Sequence, residues 1–205
     1  MRIGIDFDNT IVSYDTLFHR VALERGLIPI SVPANKISVR EYLRERDSED
    51  QWTQLQGYVY GARMSEAEAY PGAIEFFSWA RERNIQPVIV SHKTRYPFLG
   101  ERYDLHDAAR GWVQKILIER SPQLIDAQAV YFELTKQEKI ERIAALELDY
   151  FIDDLPEILL ADGFPTRTTR ILFDIDSRHA DTRLVSCASW QTIQRYFEDR
   201  WTTQP

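Results

Sequence analysis

Short apolar runs, each stopped abruptly by polar or charged residues and separated by helical stretches, constrain this chain more than any other feature. They cover residues 3–5, 87–90, 129–134, 150–152 and 170–173. Continuous apolar segments of this length suit strands buried on both faces of a parallel sheet. Strands alternating with helices imply crossover connections. The fold class expected is therefore α/β, a Rossmann-like open parallel sheet with flanking helices. In such a sheet ligands bind beyond the carboxyl ends of the strands. The residues that stop each run should then converge on one crevice.

Those residues are chemically loaded. Asp6 and Asp8, spaced i, i+2, end the first run and lead into Asn9 and Thr10. The second run stops at Ser91, His92, Lys93 and Thr94. The third gives way to Thr135-Lys136-Gln137-Glu138, whose spacing is that of a capping box, at the head of a helix bearing Ile140, Ile143 and Ala144. Asp153-Asp154 ends the fourth, and Pro156 suits the first turn of the helix that follows. Crowded carboxylates resist ionising together unless a cation or donor relieves them. Mg2+ relieves them with few protein ligands, keeping sites for substrate oxygens. Taken alone, Asp6-Phe7-Asp8 reads as an acidic turn capping the next element. Beside a hydroxyl, a lysine and a second acidic pair, it reads as a site for a metal ion and a phosphoryl group, in which one carboxylate attacks phosphorus. The lysine is Lys136 or Lys139. Lys136 is preferred because it lies at the helix start, nearer the strand end; the other of the two is then a solvated surface lysine.

Between the first two runs the texture is helical. Leu17, Phe18, Val21 and Ala22 mark one apolar face, Val39, Tyr42 and Leu43 a second, and Trp52, Leu55, Tyr58 and Val59 a third. Pro29 and Pro33 break the chain between the first two, and 48–50 starts the third. Residues 13–70 are expected to form a small all-helical insert, with 1–12 and 71–205 making the α/β domain. Pro71-Gly72 opens a helix that ends near Asn84, residues 95–106 form an irregular loop, and helices follow from Asp107 and near Trp190.

Composition removes several classes. A net charge of −7 weighs against a nucleic-acid or anionic-membrane surface as main partner. The single cysteine, Cys187, excludes an intrachain disulfide and a cysteine-rich zinc site. No apolar run approaches the roughly 18–20 residues of a membrane span, and no signal peptide is evident. A cytoplasmic protein is expected.

In order and character these motifs resemble the haloacid dehalogenase (HAD) superfamily of phosphohydrolases. Asp6-Phe7-Asp8-Asn9-Thr10 is similar to its first motif, Asp-x-Asp-x-Thr. Ser91 after an apolar strand resembles the second, a lysine at a helix start the third, and Asp153-Asp154 the acidic fourth. The likeness covers nearly the whole chain outside 13–70 and 95–106. It implies a Mg2+-dependent phosphatase that hydrolyses a small phosphomonoester through an aspartyl-phosphate on Asp6. Asp8 would protonate the leaving oxygen and then deprotonate water, its main-chain carbonyl helping to hold Mg2+. Asp6 and Asp153 would supply carboxylate oxygens to the metal, with Asp154 beside them or acting through water. Asn9, Thr10, Ser91, His92 and Lys136 (or Lys139) would hold the phosphoryl group. Asp8 favours phosphoryl chemistry, since dehalogenases of the superfamily lack an aspartate there. The insert at 13–70 falls where the family places a cap. Arg95, Tyr96 and Arg102, just past Ser91, are candidates for substrate specificity, because arginines recognise a second anionic group.

Two further readings share these residues: a phosphotransferase or mutase on the same fold, and a HAD-like protein that binds a phosphorylated ligand without turnover. The partner expected in each case is a small phosphorylated metabolite.

Overall fold

The computed structural model describes residues 1–120 and 122–201. Its strands, in chain order, are β1 (Ile3–Ile5), β2 (Val12–Ser13), β3 (Glu68–Ala69), β4 (Val88–His92), β5 (Val130–Glu133), β6 (Tyr150–Asp153), β7 (Thr169–Phe173) and β8 (Val185–Cys187). The α-helices are α1 (Asp15–Glu24), α2 (Lys36–Arg44), α3 (Glu49–Tyr60), α4 (Ala73–Glu82), α5 (Leu105–Val113), α6 (Lys136–Ala145), α7 (Pro156–Leu159) and α8 (Trp190–Trp201). Two compact units result. One takes in Met1–Ile11, Ala69–His92 and the described residues from Leu117 onward; the other takes in Val12–Glu68 and Lys93–Ile116.

The first unit is a six-stranded sheet in the order β5-β4-β1-β6-β7-β8, parallel throughout. This is the α/β fold expected from the apolar runs. The edge strand β8 was not foreseen: it has three residues, with Ser186 exposed, too short to carry a period. Side chains alternate across β6 as its two-residue repeat requires. Tyr150 meets Phe197 of α8 at 4.9 Å, while Phe151 packs with Leu148, Leu159 and Phe164 on the opposite face. An aromatic layer of Phe76, Trp79, Phe173, Trp190 and Phe197 joins α4 and α8 to one side of the sheet. Ile143 of α6 and Leu159 of α7 close the other. Asn84, in the left-handed region at φ 56°, ends the α4 segment as expected.

The second unit is built on α1, α2, α3 and α5. Leu17, Phe18, Val21, Val39, Leu43, Trp52, Leu55 and Val59 are buried, the faces read from the sequence, with Phe18 and Trp52 at 5.1 Å. This unit differs from the expected 13–70 insert because it also holds Lys93–Ile116. The reason is local. Trp112 of α5 is buried and its Nε1 donates to the carbonyl of Ala67 at 2.8 Å. Gly57 lets Pro97 approach so closely that an added Cβ would lie 2.6 Å from the proline Cβ. α5 begins at Leu105, two residues before the expected start, because the Asp104 side chain accepts from the N–H groups of His106 and Asp107.

Candidate active site

Strand order builds the site. The chain enters the sheet at β1, adds β4 and β5 on one side, then crosses to add β6, β7 and β8 on the other. The reversal falls beside β1, which is where an open sheet leaves room for a ligand. The end of β1 is thus flanked by the ends of β4 and β6, and Asp6 stands between Ser91 and Asp153. Asp6 N–H continues the ladder, donating to Ile152 O at 2.8 Å.

The Asp6 carboxylate is 3 % exposed and its two oxygens differ. Oδ1 accepts from Ser91 Oγ at 2.8 Å and from Lys139 Nζ at 2.6 Å. Oδ2 has one long contact, from Thr10 Oγ1 at 3.3 Å. Lys139 is wholly buried and its ammonium also donates to Asp153 Oδ2 at 2.7 Å. Asp153 Oδ1 accepts the Leu155 N–H at 2.9 Å. Thr10 Oγ1 reaches Asp154 Oδ1 at 3.4 Å. Asn9 takes the left-handed region, φ 58°, which asparagine tolerates. That bend returns the chain so that Ile11 N–H reaches Phe7 O at 3.1 Å.

Burial alone would drive the Lys139 ammonium toward neutrality, but the carboxylates of Asp153 and Asp6 outweigh it and raise its pKa. Asp153 is pushed up to about 7 by burial and by the charge of Asp6, against the pull of Lys139. One ammonium does not compensate the carboxylates gathered here. Ligand atoms of Asp6, Asp153 and Asp154 lie within 4.8 Å of one another. An all-oxygen donor set short of positive charge is what a hard divalent cation fits. The residues present therefore suit Mg2+.

The lysine assignment needs correction. Lys136 is exposed and pairs with Glu157 at 2.9 Å, away from Asp6. Both lysines lie near the start of α6, Lys136 at its first residue and Lys139 about one turn along. What separates them is direction: side chains on a helix lean toward its N-terminus. Lys136, the first helical residue after the Thr135 cap, leans out to solvent, whereas Lys139 leans back from the fourth position to the strand ends. Sequence reasoning also missed Trp190, whose Nε1 donates to Thr10 O at 2.9 Å; its periodicity marked it only as a core residue.

Asp8 and Asn9 are half-buried on the turn after β1. His92 ends β4, half-buried, with its Nδ1 buried and without a hydrogen-bond partner. Arg95, Tyr96 and Arg102 belong to the second unit and are occupied within their own loop. Arg95 Nε pairs with Asp104 at 2.9 Å, and the Arg102 guanidinium lies 4.0 Å from the centre of the Tyr96 ring. Lys93 is buried, its ammonium 4.6 Å from the ring centre of Tyr60.

Fold comparison agrees with the motifs. The structure is similar to a HAD-superfamily hydrolase from Ehrlichia chaffeensis, with a TM-score of 0.57 and 16 % identity over 97 % of this chain and 96 % of that one. It is likewise similar to a HAD family hydrolase from Deinococcus radiodurans with bound phosphate and sodium, at a TM-score of 0.55 and 15 % identity over 100 % and 97 %. The chain has the fold of the HAD-superfamily hydrolases, so the resemblance read from the motifs holds at that level. In sequence it is 24 % identical over 179 residues to "Putative nucleotidase OB0422" of Oceanobacillus iheyensis, covering 84 % of this chain and 85 % of that protein. No protein-family model matches the chain. Among the described residues no helix is long and apolar enough to cross a membrane.

Proposed function

We propose that this protein is a Mg2+-dependent phosphatase that hydrolyses a small phosphomonoester through an aspartyl-phosphate on Asp6. The observation that carries the reading is the bridge made by Lys139. A buried ammonium joins Asp6 and Asp153 across two neighbouring strand ends, with Ser91 donating to the same Asp6 oxygen. Those two donors hold the carboxylate in place and leave Oδ2 to attack phosphorus. The Asp6 O–P bond forms as the bond from phosphorus to the leaving oxygen breaks, and Asp8 protonates that oxygen. Asp8 then takes a proton from water, which attacks phosphorus and frees Asp6. Ser91, Lys139, Asn9 and Thr10 hold the phosphoryl oxygens. Asp6, Asp153, Asp154 and the Asp8 carbonyl would hold Mg2+, which supplies charge neutralisation for the transferred group.

The test is phosphate release from nucleoside monophosphates, sugar phosphates and an aryl phosphate, with Mg2+ and with chelator, and with no added acceptor. Nucleoside monophosphates head the panel because of the name of the Oceanobacillus protein. Release that needs Mg2+ and falls by roughly 10^4-fold or more in Asp6→Asn is the expected result. Transfer only when a second hydroxyl compound is supplied would make the protein a phosphotransferase. Retained hydrolysis in Asp6→Asn would remove the nucleophile.

A further inference from the structure

The amino-terminal end of the sheet, opposite the strand ends that carry Asp6 and Asp153, bears an open cavity of about 680 Å3. That volume lies in the range of small-ligand sites, about 300–1,000 Å3. Arg2 lines it just before β1, Asp149 just before β6, Arg167 ahead of β7, and Glu147 just past α6. Leu148 and Pro165 supply an apolar wall. Two guanidiniums and two carboxylates thus share one hollow, all within the first unit. Their mutual pairing is partial. Asp149 Oδ2 accepts the main-chain N–H of Arg2 at 2.7 Å, yet the residue stays exposed. Arg2 Nη1 donates to Glu147 Oε2 at 2.9 Å in a pair exposed on both sides. The Arg167 side chain makes no hydrogen bond or ion pair among the described residues.

Glu147 is the least expected residue of the four. It follows the C-cap of α6, and its φ of 49° lies in the left-handed region. Glycine or asparagine takes that place at low cost, and a longer side chain does not. A carboxylate there also meets the negative end of the helix dipole. The exposed pair with Arg2 offsets little of this. A residue that breaks two local rules points to a role other than folding.

We propose that this cavity binds a small zwitterion, an α-amino acid with an aliphatic side chain. Its carboxylate pairs with Arg167, its ammonium with Glu147 and Asp149, and its side chain lies against Leu148 and Pro165. An anion alone would face two carboxylates, and a cation alone would face two guanidiniums. One molecule carrying both signs satisfies each. The site goes beyond the phosphatase reading and does not rest on it: the length of β1 and of β6 separates it from Asp6 and Asp153.

Calorimetry on the full chain with each standard amino acid in turn tests this, in chelator so that no metal takes the carboxylate. Valine, leucine or isoleucine is expected to bind saturably. Propionate and propylammonium, which carry one charge each, are not. Arg167→Met and Glu147→Gly each weaken binding by about tenfold or more. Glu147→Gly also raises the urea midpoint, because glycine relieves the left-handed backbone, so binding lost in that variant is not folding lost. Asp6→Asn binds the amino acid as wild type does, which keeps the ligand out of the proposed active site. The proposal is overturned if no amino acid binds wild type, if both cavity variants bind as tightly as wild type, or if a single-charge compound binds as tightly as the amino acid. Loss of binding in Asp6→Asn overturns it as well, and so does a Glu147→Gly midpoint no higher than that of wild type. Absence of phosphate release would sink the phosphatase reading and leave each of these outcomes as it stands.

Discussion

The indole of Trp190, at the start of the last helix, donates to the main-chain carbonyl of Thr10 at 2.9 Å, 180 residues earlier in the chain. Trp190 is 1 % exposed and packs at a tilt against Phe76 and Phe173. The carbonyl it holds belongs to the residue whose hydroxyl contacts Asp6 and Asp154. The aromatic layer beneath the sheet thus fixes the turn that carries the proposed nucleophile.

Trp190→Phe keeps most of the packing and strands the Thr10 carbonyl without its donor. An unsatisfied buried acceptor costs about 1–3 kcal/mol, and the smaller ring adds to it. A urea midpoint lowered by that amount, with kcat reduced several-fold, is expected. A variant as stable as wild type would show that water replaces the indole.

Much of this arrangement was legible in the sequence, and each miss has a physical cause. Five of the six strands of the main sheet announced themselves as apolar runs, because strands buried on both faces need no alternation to be seen. The Thr135 cap was legible from four residues, since both its hydrogen bonds are local. The sequence favours Lys136 over Lys139 only when nearness to the strand end is weighed alone; the lean of helical side chains toward the N-terminus carries the Lys139 ammonium back to Asp6 and Asp153. The assignment of Lys93–Ile116 to the second unit rests on Trp112 finding the Ala67 carbonyl and on Pro97 seating against Gly57. Both are long-range contacts between residues that each look ordinary alone. For the same reason Trp190 read as one more core aromatic.

The two lysines of α6 give a paired prediction. Lys139→Met leaves Asp6 and Asp153 facing each other without their ammonium, and breaking a buried pair costs about 3–5 kcal/mol. Mg2+ should recover part of that loss, so the gap in Tm between metal and chelator widens relative to wild type. Turnover is lost with or without metal. Lys136→Met removes an exposed pair with Glu157, worth no more than about 1 kcal/mol, and changes activity little. Thermal unfolding and phosphate release on the two variants side by side check both statements. Equal behaviour of the two would overturn the assignment of Lys139.

Asp174, just after β7, is one carboxyl whose hydrogen bonds contribute stability that acid removes. It is 7 % exposed. Its carboxylate accepts the N–H of Arg178 at 3.1 Å and of His179 at 2.9 Å, and faces His179 Nδ1 at 3.3 Å. Burial pushes this carboxyl up, but the donors outweigh it and hold its pKa below the ordinary value. A carboxyl depressed on folding stabilises the folded state above the unfolded pKa, about 3.9. That contribution fades as the pH falls through the lower folded value. Asp174→Asn keeps one oxygen acceptor and loses the charge, so it should be less stable than wild type by about 1.5 kcal/mol near pH 7. The gap should close as the pH is lowered from 4 toward 2. Urea midpoints of the two proteins across that range decide the matter: curves that stay parallel into acid would show that Asp174 contributes nothing to the pH dependence of folding.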